Sequence, residues 1–287
     1  TLTDAYAVSG STTTITTPSM GSFTLGASNG SASYAYDEEV PVAYEQVSDG
    51  KQSMANLVGN FMDNNSVMYT PPALDFMGAT FQAHLGYATQ ANDEMVADGG
   101  QATYSETFGS GQELGLTITY DALKLGFYGA ERERTVPQTV TSSGNYEHDE
   151  FNGAWYAKYT MGPVSIGYSE FYFDAGVTSG VQSANAAVTR RSGGGLYSGE
   201  QMSIAFNVND NMSISYTTSD ETYDTQDDVA TAVTTDDDVT ESIDAIQVAY
   251  SMGGMSIKAY NMEVTNPSQD DNAADQSVTE IALGFAF

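Results

Sequence analysis

Carboxylates are the commonest reactive groups in this sequence, and one run of them is unusually crowded. Asp37, Glu38, Glu39, Glu45 and Asp49 share a short stretch with a single base, Lys51. Paired carboxylates can do general acid–base work, but with 38 acids against 8 bases their pairing singles out no reaction. A second crowd comprises Asp220, Glu221, Asp224, Asp227, Asp228, Asp236, Asp237, Asp238 and Glu241; a third comprises Asp270, Asp271 and Asp275. Such oxygen donors suit divalent cations, with Asp236, Asp237 and Asp238 the best candidates for a metal site. No stretch has the D-x-D-x-D-G spacing, so the plain reading is a solvated acidic surface. It would hold Ca²⁺ loosely and need no cofactor. There is no cysteine, hence no thiol nucleophile and no disulfide framework. His84 and His148, the latter between Glu147 and Asp149, are the only histidines. Either could join a serine and an acid, but no G-x-S-x-G is present, and two distant histidines make a poor metal set. The expectation is a protein that is not an enzyme.

The elements that hold these groups follow from composition and periodicity. A net charge of −30 excludes nucleic acid as a partner, because phosphate must be met by Lys and Arg. Disorder is excluded by 19 Tyr and 12 Phe, too many for a solvated coil. No apolar run approaches the roughly 20 residues of a membrane helix, and Thr1-Leu2-Thr3-Asp4 lacks the features of a signal peptide.

What recurs instead is strict alternation. Ile281, Leu283, Phe285 and Phe287 point one way, while Glu280, Ala282, Gly284 and Ala286 point the other. The same pattern defines thirteen strands near Ser11–Thr17, Ser22–Ala27, Ser66–Thr70, Ala79–Ala88, Glu113–Tyr120, Lys124–Ala130, Glu150–Met161, Val164–Phe173, Glu200–Val208, Met212–Thr218, Ser242–Met252, Met255–Val264 and Ser277–Phe287. It breaks near Glu170-Phe171-Tyr172-Phe173, where a bulge or the end of the embedded span is expected. Tight turns such as Asp121-Ala122 and Gly253-Gly254 alternate with long polar stretches at 26–65, 89–112, 132–149, 174–199, 219–240 and 265–276. A compact soluble sandwich rarely carries so many long loops at one end. A transmembrane antiparallel β-barrel of the bacterial outer membrane does, with every backbone group paired. The whole chain, 1–287, reads as one all-β barrel domain.

Gly21-Ser22-Phe23-Thr24-Leu25-Gly26, a long gap, then Asp63-Asn64-Asn65-Ser66-Val67-Met68-Tyr69-Thr70-Pro71-Pro72 resembles the general porins of Gram-negative bacteria. In that family a G-x-x-x-L-G strand precedes the inward-folded third loop, and a D-N-S-V-x-Y strand follows it. The resemblance implies 16 strands, of which the first three precede those visible here. It also implies a homotrimer of water-filled channels for small hydrophilic solutes and ions. The stretch 26–65 is then the constriction loop. The family often carries Arg beside the D-N-S-V stretch, whereas here the places hold Met62 and Met68, so strongly basic walls are not expected.

Selectivity in a pore follows the charge at its narrowest point. The constriction acids would be Asp37, Glu38, Glu39, Glu45 and Asp49. The lumen-facing bases are Lys124, Lys158 and Lys258, joined by Arg132 and Arg134 if that strand extends far enough. This balance leads us to expect preference for cations or neutral solutes. A substrate-specific channel or a surface adhesin is the alternative. The doubled base Arg190-Arg191, in a long external loop, could meet lipopolysaccharide phosphate.

Overall fold

The computed structural model describes residues 12–26, 30–49, 51, 53–62, 66–91, 108–134, 148–176, 196–224 and 238–286. Phe287, Asp236, Asp237, Arg190 and Arg191 lie outside them. Strands are β1 (Thr12–Thr17), β2 (Gly21–Gly26), β3 (Ser66–Thr70), β4 (Leu74–Phe76), β5 (Ala79–Ala88), β6 (Phe108–Tyr120), β7 (Leu123–Arg134), β8 (Glu150–Met161), β9 (Val164–Asp174), β10 (Leu196–Asn209), β11 (Met212–Asp224), β12 (Val239–Met252), β13 (Met255–Thr265) and β14 (Gln276–Phe285). Each pairs antiparallel with its sequence neighbour, except that β3 pairs with β5 and the short β4 sits off the path on β5. The path therefore holds the thirteen strands that the alternation marks. Among the described residues its edge strands, β1 and β14, pair with one neighbour each.

The outer face is apolar and exposed. Leu25, Ile204, Ile246 and Ile281 are 49%, 50%, 60% and 67% exposed. In a soluble sandwich such a face would pack inward; here it is the belt a barrel offers to lipid. The belt ends in aromatic side chains tied to acids. Trp155 Nε1 donates to Glu170 (2.8 Å), Tyr168 donates to Glu170 and Glu200 (2.5 and 2.7 Å), and Tyr216 donates to Asp244 (2.7 Å). Amphipathic rings of this kind belong at a membrane–water boundary.

Two expectations change. Of the bulge or span end expected at Glu170–Phe173, the bulge is absent, since pairing with β8 and β10 is continuous there. Phe171 and Phe173 simply point inward, where they join a buried cluster with Tyr197 and Tyr223. The register irregularities lie at Phe108/Gly111 and Asn207/Asn209 instead. Several strands also run past the alternation toward the long-loop end, reaching Phe108, Arg134, Leu196 and Asp224. Their inner face there has something to pack against, so pairing continues beyond the apolar belt.

Candidate functional site

That something is the segment 30–62, which lies inside the curved sheet. The wrapping is evident from its partners. Tyr36 Oη lies 2.8 Å from His84 Nδ1 on β5, and Tyr44 Oη donates to Glu280 of β14 at 2.6 Å. Between these limits the outgoing limb crosses the wall strand by strand. Pro41 O accepts from Ser203 of β10 (2.6 Å), Ala43 N donates to Ser215 of β11 (2.9 Å), and Tyr44 N donates to Gln247 of β12 (2.9 Å). The returning limb carries Val47 into a cluster with Ile243, Ala245, Tyr260, Met262 and Val264. It then sets Met54, Val58, Phe61 and Met62 against Tyr128, Ala130, Tyr156, Phe171 and Tyr197.

The small residues that alternate along the inner face explain why the segment fits. A Cβ added to Gly115 would fall 2.5 Å from the Tyr36 ring, and one on Gly167 would fall 2.3 Å from Pro41. Gly126 likewise makes room for Tyr156, which packs beneath Tyr36 with ring centroids 6.3 Å apart. The wall is notched where the segment needs to approach.

The five acids named from sequence do not share one environment. Glu38 is buried, at 4% exposure, between the two limbs and the wall. Its carboxylate accepts from Ser48 on the returning limb and from Gln201 of β10. Burial pushes this carboxyl up to about 7; Asp37 and Asp49 add to the rise, and the two hydrogen bonds oppose it. Glu38 therefore belongs to the mounting of the segment and not to a water-facing rim. Glu39 forms an ion pair with Lys158 of β8. Asp37 and Glu45 are half-buried and Asp49 is exposed. Partial burial holds Glu45 above the usual carboxylate range; Glu280 and Asp49 reinforce this, and Lys258 opposes it.

The bases divide in the same way. Lys124 and Lys158 are direct cross-strand partners on the inner face, with Nζ 5.5 and 5.2 Å from the centroid of the Tyr156 ring. Lys258 Nζ lies 5.3 Å from that of Tyr44. Arg132 and Arg134 do reach the strand, as the extension of β7 allows, but Arg132 is no open wall charge. It is buried, pairs with Glu150 at 2.6 Å, donates to Ala91 O at 2.8 Å and stacks on Phe108 at 3.5 Å. Arg134 donates to the carbonyls of His148 and Ala175 at 3.1 and 3.2 Å. Both arginines brace the long-loop end.

Sequence reasoning missed Glu113, Gln201, Gln247 and Glu280 as holders of the segment, and it read Glu221 as one acid of a solvated loop, whereas Glu221 lies on β11 and, with Glu113, holds the two limbs. For Glu113 and Gln201 a signal existed: each is a long polar residue flanked on the inner face by small ones, Gly111 and Gly115 in the first case, Gly199 and Ser203 in the second. Of the metal candidates only Asp238 is described, and no group of three or more His, Asp or Glu side chains with metal-holding geometry occurs among the described residues. His148 Nδ1 is 2.7 Å from Asp149 O, and its Nε2 is 3.6 Å from Asp174.

No family model matches the chain, and no curated protein sequence matches it. Solved structures do. The outer-membrane expressed OmpT of Vibrio cholerae superposes with a TM-score of 0.56 at 14% identity, covering 96% of this chain and 80% of that one. A porin gives 0.58 at 14% identity, covering 94% and 78%. The outer membrane channel DcaP of Acinetobacter baumannii gives 0.53 at 12%, covering 91% and 70%. At these identities the likeness shows the fold, which is a porin-like outer-membrane β-barrel.

Proposed function

We propose that this barrel is a water-filled channel for passive diffusion of small hydrophilic solutes, preferring cations and neutral solutes to anions. One observation carries the reading: a segment of the chain is folded inside the barrel and held to the wall from β5 to β14. A segment so placed narrows a lumen and brings its own charges to the narrowing. With Glu38 enclosed and Glu39 paired to Lys158, the half-buried or exposed acids of the segment are Asp37, Glu45 and Asp49, and the exposed Glu280 of β14 lies beside Tyr44. Lys258 opposes the rise at Glu45, and Lys51 of the same segment donates to Gln276 of β14 at 3.4 Å. Low-dielectric walls focus the field of such groups; partial burial raises Glu45, and its carboxylate neighbours Glu280 and Asp49 add to the rise. A passing cation relieves that repulsion.

The proposal involves no chemical step and no cofactor. It includes a homotrimer seated among lipopolysaccharide, with Ca²⁺ held loosely by the acidic loops, following the likeness to porins. The test of diffusion is swelling of proteoliposomes in neutral sugars of increasing size. Entry rates falling smoothly with solute size support a general channel. Saturable entry of one sugar, or none at all, contradicts it.

A further inference from the structure

The segment 30–62 is fastened by the same device twice. At its start, Ser31 Oγ donates to Glu113 of β6 at 2.8 Å, and Ala32 N donates to both oxygens of that carboxylate at 3.1 and 3.2 Å. Near its end, Ser53 Oγ donates to Glu221 of β11 at 2.6 Å, and Met54 N donates to both oxygens at 3.1 Å. Each serine oxygen also accepts from the backbone two residues on, Ser33 N at 3.0 Å and Ala55 N at 3.1 Å. Each pair opens a short 3-10 turn, Ser33–Ala35 and Ala55–Leu57.

The match extends to the wall. On one side the cross-strand partner of Glu113 is Gly86 and that of Glu221 is Gly199; on the other side the two differ, being Ala130 and the buried Glu241. Glu113 also accepts from Tyr128 Oη and Glu221 from Gln269 Nε2, both at 2.8 Å. Both glutamates are 4% exposed. A carboxylate so enclosed is held in place by its hydrogen bonds, and losing them leaves a buried charge unmet.

From this we infer that Glu113 and Glu221 are positioning residues, a matched pair of clasps that fix the ends of the inner segment and so set the width of the opening. Four strands, β7 to β10, lie between them along the sheet. The stretch from Ser31 to Ser53 is thereby a strap held at two separated points. Its middle, with Glu39, Glu45 and Asp49, spans the lumen between the clasps and meets the wall through Glu39, Pro41, Ala43 and Tyr44. This inference rests on the channel reading for its meaning, but the clasps can be tested apart from it.

The experiment uses the whole chain refolded in detergent. E113Q and E221Q keep the side-chain shape but turn an amide NH₂ toward backbone N–H donors. S31A and S53A keep the charge and remove only the hydroxyl. In the E113Q/E221Q double variant, amide hydrogen exchange at 31–35 and 53–57 should speed up by about tenfold or more, as expected for lost bonds to a charged group. The size limit for neutral polyethylene glycols, which do not sense the charge change, should rise. Each serine variant should loosen its own end more than the other. Wild-type exchange in a refolded double variant would overturn the clasps. If the glutamine variants fail to fold, the serine variants decide: exchange unchanged at both ends overturns the proposal. If the wild-type barrel passes no solute, the channel reading fails while the exchange result still judges the clasps.

Discussion

Replacing Glu38 by glutamine should strengthen the docking of the inner segment at pH 8 and leave it nearly unchanged at pH 5. The carboxyl sits between Ser48, Gln201, Asp37 and Asp49 and is pushed up to about 7, against 4.5 in water. A group whose docked value is raised favours docking fully below its ordinary value. That contribution is lost as pH climbs through the ordinary value toward about 7. The gap of about 2.5 units corresponds to ~3 kcal/mol, at ~1.36 kcal/mol per unit, as an upper order of magnitude. Glutamine copies the neutral acid, can still accept from Ser48, and does not titrate. Hydrogen exchange of amides 36–49 in the refolded barrel reads the effect. In the wild type, protection should fall by up to about a hundredfold between pH 5 and pH 8, after correction for intrinsic exchange. In E38Q it should stay level. Equal protection in wild type and E38Q at pH 8, or a loss of protection in E38Q at both pH values, would refute the reasoning.

Other consequences follow from the same contacts. Gly126→Val places a Cβ about where the Tyr156 ring lies, 2.1 Å from its nearest atom. It should destabilise the barrel by ~1–3 kcal/mol and shift Tyr36 with the segment, seen as lower thermal stability and altered single-channel conductance. Arg132→Ala takes the guanidinium away from the buried Glu150 carboxylate, which should cost about 3–5 kcal/mol in chemical denaturation. Arg132→Ala combined with Glu150→Gln should recover part of that loss. Lys158→Gln frees Glu39 from a pair that is itself only half-buried. Stability should therefore change by no more than ~1 kcal/mol, while cation preference, read from reversal potentials, should increase.

The strand pattern was open to reading because each strand has one lipid face and one inner face. Ile204 and Phe206 alternate with Ser203 and Ala205, and the structure keeps that parity through β10. Parity fails as a guide where the inner face stops being wet. Phe171 and Phe173 break the rule in sequence because they pack on the folded-in segment, a contact between distant parts of the chain. Glu38 shows the same limit. Nothing local separates it from Glu39, yet one carboxylate meets Ser48 and Gln201 out of water and the other meets Lys158. Period two places Arg132 on the inner face, but its engagement with Glu150, Phe108 and Ala91 O depends on three separate elements. Location was legible from period two; electrostatic role required the partners.

The central claim is a cation-preferring aqueous pore whose narrowing is lined by Asp37, Glu45 and Asp49. The most direct measurement is the reversal potential of the reconstituted wild-type barrel in a planar bilayer under a KCl gradient. We expect discrete conductance steps and a potential of the sign set by K⁺ permeating faster than Cl⁻. The preference should weaken as pH falls and Glu45 protonates, and shrink in the E45Q/D49N double variant. Steps with Cl⁻ preference, or a membrane that stays silent with correctly refolded barrel present, would contradict it.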